Sequence, residues 1–236
     1  MALDLLRGEG GPLRIGHRGA AALAPENTLA GFDAAIAAGV DGVEFDVVAG
    51  PRGLEVAHAR GARDAPALDE ALEFLAQHDI TVQVDLKGTG REAELADALR
   101  RHGLGDRAVV SSFRARSLLA LAALAPDLAR ALTYPEDRFG ISRRRPFVYA
   151  VRGGLAAMRA LLPWRIAVMV ARAGASAATL HHQLVTRQAV EVCHARGAAV
   201  WAWTVNDRAT AADLEALGVD AIITDDPRIF RGRLSE

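Results

Sequence analysis

The chain of 236 residues has one cysteine, Cys193, and one lysine, Lys87, among 28 basic residues. A single cysteine excludes a disulfide framework and a multi-cysteine zinc centre, and it predicts a reducing compartment. No apolar stretch reaches the length of a membrane span, and the opening MALDLLRGEGGP is too poor in apolar residues for a secretory signal. A cytoplasmic protein is expected. Carboxylates are absent from 138–190, where nine arginines fall, which leaves 19 basic and 29 acidic residues elsewhere. The formal net charge of −1 therefore hides a polarised chain, and it speaks against wholesale nucleic-acid binding. No obligate protein partner is inferred. Hydrophobic residues make up 51%, enough for a full core, so a disordered or fibrous class is excluded.

What is present is alternation. Short apolar runs at 13–15, 43–48, 81–86, 108–112, 129–133, 178–184, 199–204 and 221–224 read as strands, nearly all separated by helical patterns. In the first of these helices Asn27 or Thr28 is the cap, Leu29, Phe32 and Ile36 share a face, and Gly39 is the stop. Residues 54–58 read as extended. Eight strand–helix units in about 220 residues predict one α/β domain over 1–236, a parallel (β/α)8 TIM barrel. Residues 138–175 read as an arginine-rich helical insertion between the fifth and sixth strands.

In such a barrel the chemistry collects at the C-terminal ends of the strands. His17 and Arg18 end the first, Glu44 and Asp46 the second, Asp85 and Lys87 the third, and Ser111 and Ser112 the fourth. Trp203, Thr204 and Asn206 end the seventh, and Asp225 and Asp226 the eighth. Residues two apart on a strand share a face, so Glu44 and Asp46 point together. Two carboxylates aimed into one mouth repel unless a cation separates them, which suits a hard divalent metal with Asp85 as a third ligand. The competing reading is a structural network in which these acids pair with Arg18 and Lys87. His17 and His58 have the imidazole chemistry for proton transfer near neutrality. His181 and His182 lie on the sixth strand, where alternation turns one of them inward. His182 and Trp203 are taken as substrate contacts, and Arg18 and Lys87 as a clamp for phosphate.

Several of these residues sit in motifs. Ile15-Gly16-His17-Arg18-Gly19, Pro25-Glu26-Asn27-Thr28, Glu44-Phe45-Asp46, Asp85-Leu86-Lys87, Ser111-Ser112-Phe113, Trp203-Thr204-Val205-Asn206 and residues 218–227 (GVDAIITDDP) follow one another from 13 to about 230. In this order they resemble the glycerophosphodiester phosphodiesterases. The resemblance implies a (β/α)8 barrel and metal-dependent hydrolysis of a glycerophosphodiester to an alcohol and glycerol 3-phosphate. It implies His17 and His58 as the acid–base pair, Glu44, Asp46 and Asp85 as ligands of Mg2+ or Ca2+, and Arg18 and Lys87 as phosphate contacts. Three departures stand out. Asp85 replaces the family's usual Glu, Ala59 follows His58 where Asp is usual, and only a short loop after the second strand precedes the helix at Ala67, which predicts an open mouth.

Residues 138–172 hold eight arginines and no acid. Arg145, Arg152 and Arg159 are spaced by seven, with Phe147, Val151, Leu155, Met158 and Leu162 as an apolar face, and Pro163 is expected to break the helix before a second begins at Trp164. Basic, apolar and aromatic-tipped helices beside a phosphodiester site predict a lip resting on an anionic membrane, with a lysolipid as substrate. The competing reading is a long barrel helix with solvated arginines. A lysophospholipase D-type lipid hydrolase, or a barrel that binds phosphodiester lipids without turnover, is the alternative function.

Overall fold

The computed structural model describes residues 5–8, 10–136 and 148–230. The chain runs β1 (Leu13–His17), α1 (Leu29–Ala37), β2 (Gly42–Gly50), β3 (Gly53–Val56), α2 (Leu68–Ala76), β4 (Thr81–Leu86), α3 (Glu92–Arg101), β5 (Ala108–Ser112) and α4 (Ala115–Leu124). It continues with β6 (Ala129–Tyr134), α5 (Val148–Arg172), β7 (Ala177–His181), α6 (Arg187–His194), β8 (Ala199–Trp203), α7 (Arg208–Leu217) and β9 (Ala221–Thr224). Strand β1 pairs in parallel with both β2 and β9, and this closes the sheet. The result is an eight-stranded parallel barrel from which β3 hangs as an antiparallel hairpin arm on the outer half of β2.

The register already sorts the chemistry. His17 lies level with Glu44 across β1 and β2, Asp46 level with Asp85 across β2 and β4, and Asp85 level with Ser111 on β5. Local sequence signals start and stop the helices around them. Thr28 accepts a hydrogen bond from the Gly31 N–H, Asp207 caps α7 through the Thr210 N–H, and Gly218 ends α7 at φ 92°. In α3, Glu92 and Glu94 occupy the first turn and Arg100 and Arg101 the last, matching the helix dipole.

The barrel is filled by one large side chain in a ring of small ones. Trp201 is fully buried among Ala129, Ala131, Ala177, Ala199 and Ala221, with Ile15, Val109 and Ile223, and its indole N–H donates to the Leu5 carbonyl at 3.3 Å. This plug forms the apolar bottom on which a polar mouth can sit.

Two expectations need correction. Helix α5 runs through Pro163 without a break. Proline forfeits one backbone hydrogen bond and costs about 3 kcal/mol in a helix interior. Leu162 and Ile166 on either side of it are buried in the cluster that includes Val190 and Cys193 of α6, and burial of that kind is worth about 1.5–3 kcal/mol per side chain. Helix α5 also stands where the fifth barrel helix belongs, so its described part is that unit's own helix lengthened. The second correction is on β7, which ends at His181, with residues 182–184 forming a 3-10 turn. Arg138, Arg145 and Phe147 lie outside the described residues. Among the described residues no helix is long and apolar enough to cross a membrane.

Candidate active site

The C-terminal ends of the strands surround a cavity of about 1050 Å3 that contains His17, Arg18, Glu44, His58, Asp85 and Lys87. Its shape begins in the backbone after β1. A Cβ on Gly16 would lie 2.2 Å from the Gly19 carbonyl oxygen, and one on Gly19, at φ 87°, would lie 2.5 Å from the Gly31 backbone. Only glycine permits this tight turn. The turn holds Arg18 at φ 51°, a strained position for a side-chain-bearing residue, and aims its N–H at Glu44 Oε2, 3.0 Å away.

Glu44, Asp46 and Asp85 each offer one carboxylate oxygen within 4.8 Å of the others, and all three are buried. Such a group can hold a metal ion. Asp46 is the hub. Asn27 clamps it, with Nδ2 donating to Oδ2 at 3.1 Å and Oδ1 accepting from the Asp46 N–H at 3.0 Å. The Arg18 guanidinium lies 2.9 Å from Oδ2 and the Lys87 ammonium 2.5 Å from Oδ1, in ion-pair contact without hydrogen-bond geometry at either buried atom. Lys87 also bonds Asp85, so it bridges the two aspartates. Asp85 Oδ1 accepts from the Ser111 hydroxyl at 2.8 Å and the Thr133 hydroxyl at 3.3 Å, and Ser111 is held in turn by Gln83. The shorter Asp85 side chain still reaches the carboxylate cluster.

The two histidines flank this cluster. His17 Nδ1 bonds Asp225 Oδ1 at 2.6 Å, which leaves Nε2 on the Glu44 side at 3.8 Å. Asn206 fixes Asp225, donating to its Oδ2 at 2.6 Å and accepting its N–H at 2.9 Å. His58 is the more exposed of the pair; its Nδ1 lies 3.1 Å from Asp46 Oδ2 and 3.0 Å from Arg18 Nη2. Protonated, Nδ1 donates to Asp46; unprotonated, it accepts from Arg18. Either tautomer is supported, so Asp46 and Arg18 orient the His58 ring.

Electrostatics divide the acids. Burial drives Glu44 up to about 7 despite the opposing His17 charge. Burial also opposes ionisation of Asp46, but the His58 hydrogen bond and the charges of Lys87 and Arg18 hold it well below the carboxylate range. Lys87 is pulled above its ordinary value, because Asp85, Asp46 and Glu44 outweigh its desolvation. His17 is desolvated too, yet the Asp225 hydrogen bond and Glu44 raise it.

The far wall is aromatic. Trp203, anchored through Nε1 to the Thr179 carbonyl at 3.1 Å, meets Phe113 edge-on at 6.2 Å and His181 at 5.4 Å. His181 lines the cavity, whereas His182, on the 3-10 turn behind it, is not among the lining residues. Burial lowers His181 to about 4, so the ring is neutral at pH 7. The sequence places Asp225 and Asn206 at strand ends without a task, and it offers Asn27 or Thr28 as the helix cap, a place that Thr28 takes. Their motif positions were visible; the contacts that give them a purpose span 19 to 208 residues of chain.

The sequence from 17 to 50 and from 65 to 229 matches the model of the glycerophosphoryl diester phosphodiesterase family. The chain belongs to that family. It is 27% identical to the glycerophosphodiester phosphodiesterase of Caldanaerobacter subterraneus subsp. tengcongensis, over 91% of this chain and 94% of that protein. The fold is shared with a phosphodiesterase of Oleispira antarctica solved with the product sn-glycerol-3-phosphate (TM-score 0.74, 23% identity, 96% and 98% of the two chains). It is shared equally with a glycerophosphodiester phosphodiesterase of Agrobacterium tumefaciens (TM-score 0.71, 22% identity, 93% and 98%). This glycerophosphoryl diester phosphodiesterase family member is a phosphoric diester hydrolase.

Proposed function

We propose that the protein hydrolyses a glycerophosphodiester to an alcohol and glycerol 3-phosphate, using a divalent metal and the His17/His58 pair. The observation that carries this reading is the placement of two imidazoles on either side of three convergent buried carboxylates. The donor set fits a metal: it is all oxygen, and the three buried carboxylates converge within 4.8 Å. Oxygen donors of this kind favour Mg2+ or Ca2+, with Glu44, Asp46 and Asp85 as ligands. When bound, the ion would polarise the phosphoryl oxygens and offset their charge.

The protein's own groups supply the rest. Arg18 and Lys87 present cations to the remaining phosphoryl charge. The substrate's own hydroxyl attacks phosphorus and the bond to the alcohol breaks, giving a cyclic phosphate; water then opens the ring to glycerol 3-phosphate. His17, tethered through Nδ1, keeps Nε2 free to take the attacking hydroxyl's proton. His58, nearer the rim, delivers a proton to the departing alcohol oxygen, and the roles reverse when water attacks. Trp203 and His181 form the wall against which the organic part rests.

The test is a panel of Mg2+, Ca2+ and chelator against glycerophosphocholine, glycerophosphoethanolamine and lysophospholipids. Turnover should require a divalent metal, and His17→Ala and His58→Ala should each lower kcat by about 10²–10⁴-fold. Unchanged turnover in either variant would remove that histidine from the mechanism.

A further inference from the structure

We propose that α5 docks the barrel side-on to an anionic bilayer surface. At about 1.5 Å per residue its 25 residues span about 37 Å, whereas the other barrel helices have 8 to 10 residues. Its C-terminal end joins β7 within a few residues, so the excess length lies at the other end, beside the cavity mouth. Burial agrees. Leu162, Ile166 and Val170 pack on the barrel, but Arg159, on the same helical face as Leu162 and Ile166, is exposed. Met158 still packs against the same buried cluster, and the helix continues N-terminal to it from 148 to 157.

The opposite face of α5 carries the docking stripe. Leu161, Trp164, Arg165, Val168 and Arg172 follow helical spacing, and Leu161, Trp164 and Val168 are 56%, 76% and 44% exposed. Half-exposed Leu119 of α4 continues the apolar surface beside Gly174. Several arginines elsewhere on the barrel sit against acids, Arg14 on Asp41, Arg91 on Glu94, Arg101 on Asp69 and Arg228 on Asp226, and others, Arg107, Arg130 and Arg187, bond backbone carbonyls. Arg159, Arg165 and Arg172 have no ion pair among the described residues, and the surrounding 138–190 contains no carboxylate. An exposed indole with leucine and valine on a stripe of unneutralised guanidiniums matches the chemistry of an interface of lipid phosphates over acyl chains. A second copy of this chain would bring the same positive field and be repelled.

Binding is read by co-sedimentation of the full chain with vesicles of phosphatidylcholine alone and of phosphatidylcholine and phosphatidylglycerol in equal parts. The protein should sediment with the mixed vesicles at low salt and be released as salt rises. Arg165→Gln with Arg172→Gln should weaken binding about 25-fold, at roughly fivefold per arginine, and Trp164→Ala should weaken it even at low salt. Turnover of glycerophosphocholine in solution should stay at the wild-type level in all these variants, which reports folding and the proposed reaction separately from docking. Absence of sedimentation with anionic vesicles, equal binding to both vesicle types, or a dimer in light scattering that Trp164→Ala dissolves would overturn the proposal.

Discussion

The cavity and the outer face of α5 handle positive charge in opposite ways. In the cavity, Arg18 and Lys87 are each gripped by more than one acid, and Asp46 and Asp85 by more than one donor. On α5, Arg159, Arg165 and Arg172 have no acid paired with them among the described residues. Cations locked among carboxylates are fixed to within a bond length, and they set geometry and pKa for chemistry. Cations without partners set none of this, and their field remains available to something outside the protein.

Breaking a locked cation should have the largest effect. Lys87→Ala leaves Asp46 and Asp85 buried and facing each other, so kcat on a soluble glycerophosphodiester should fall by about 10²–10³-fold, with a lower melting temperature. Lys87→Arg should recover little, because a planar fork cannot take the place of a compact ammonium between two carboxylates. Substantial recovery would mean that charge alone matters at this position.

A smaller effect should appear in the pH dependence of stability of the metal-free protein. Glu44 titrates near 7 when folded and near 4.5 when unfolded. Between these values the folded state holds the extra proton, so the contribution of Glu44 to stability declines as pH rises from about 4.5 to 7. In thermal melts Glu44→Gln should flatten that decline, and Mg2+ or Ca2+ should raise wild-type stability above pH 7 more than it raises the variant's. An unchanged slope in Glu44→Gln would show that another group carries the titration.

The smallest effect compares two surface arginines. Arg14 forms a two-pronged pair with Asp41, at 2.8 and 2.7 Å, so Arg14→Ala should cost about 1 kcal/mol in denaturant unfolding. Arg165→Ala should stay within about 0.5 kcal/mol of wild type, because no partner is lost. Equal losses would erase the contrast and give α5's arginines a structural task.

The barrel was legible in the chain because period-two and period-3.6 patterns alternate, and nearly every strand was located to within two or three residues. The site was legible for a related reason: a barrel strand delivers its last side chains to one mouth, so Glu44, Asp46, Asp85 and Lys87 could be grouped from position alone. Two elements misled. Pro163 signals a helix end, and it is overruled by burial of Leu162 and Ile166. The apolar run at 178–184 reads as one strand, but it turns at His182, so alternation could not tell which histidine enters the cavity.

The sequence by itself determined the strand count, the chemical types at the strand ends and the charge imbalance between the barrel and 138–190, since these depend on residue identity and local period. Only the tertiary structure decided that Asp225 and Asn206 hold His17, that Asp46 and Arg18 orient His58, and that Arg159, Arg165 and Arg172 have no ion pair among the described residues. These facts depend on which side chains arrive within about 3 Å of one another after the barrel closes. The closure joins β1 to β9 across some 200 residues of chain, a distance that no local pattern reports.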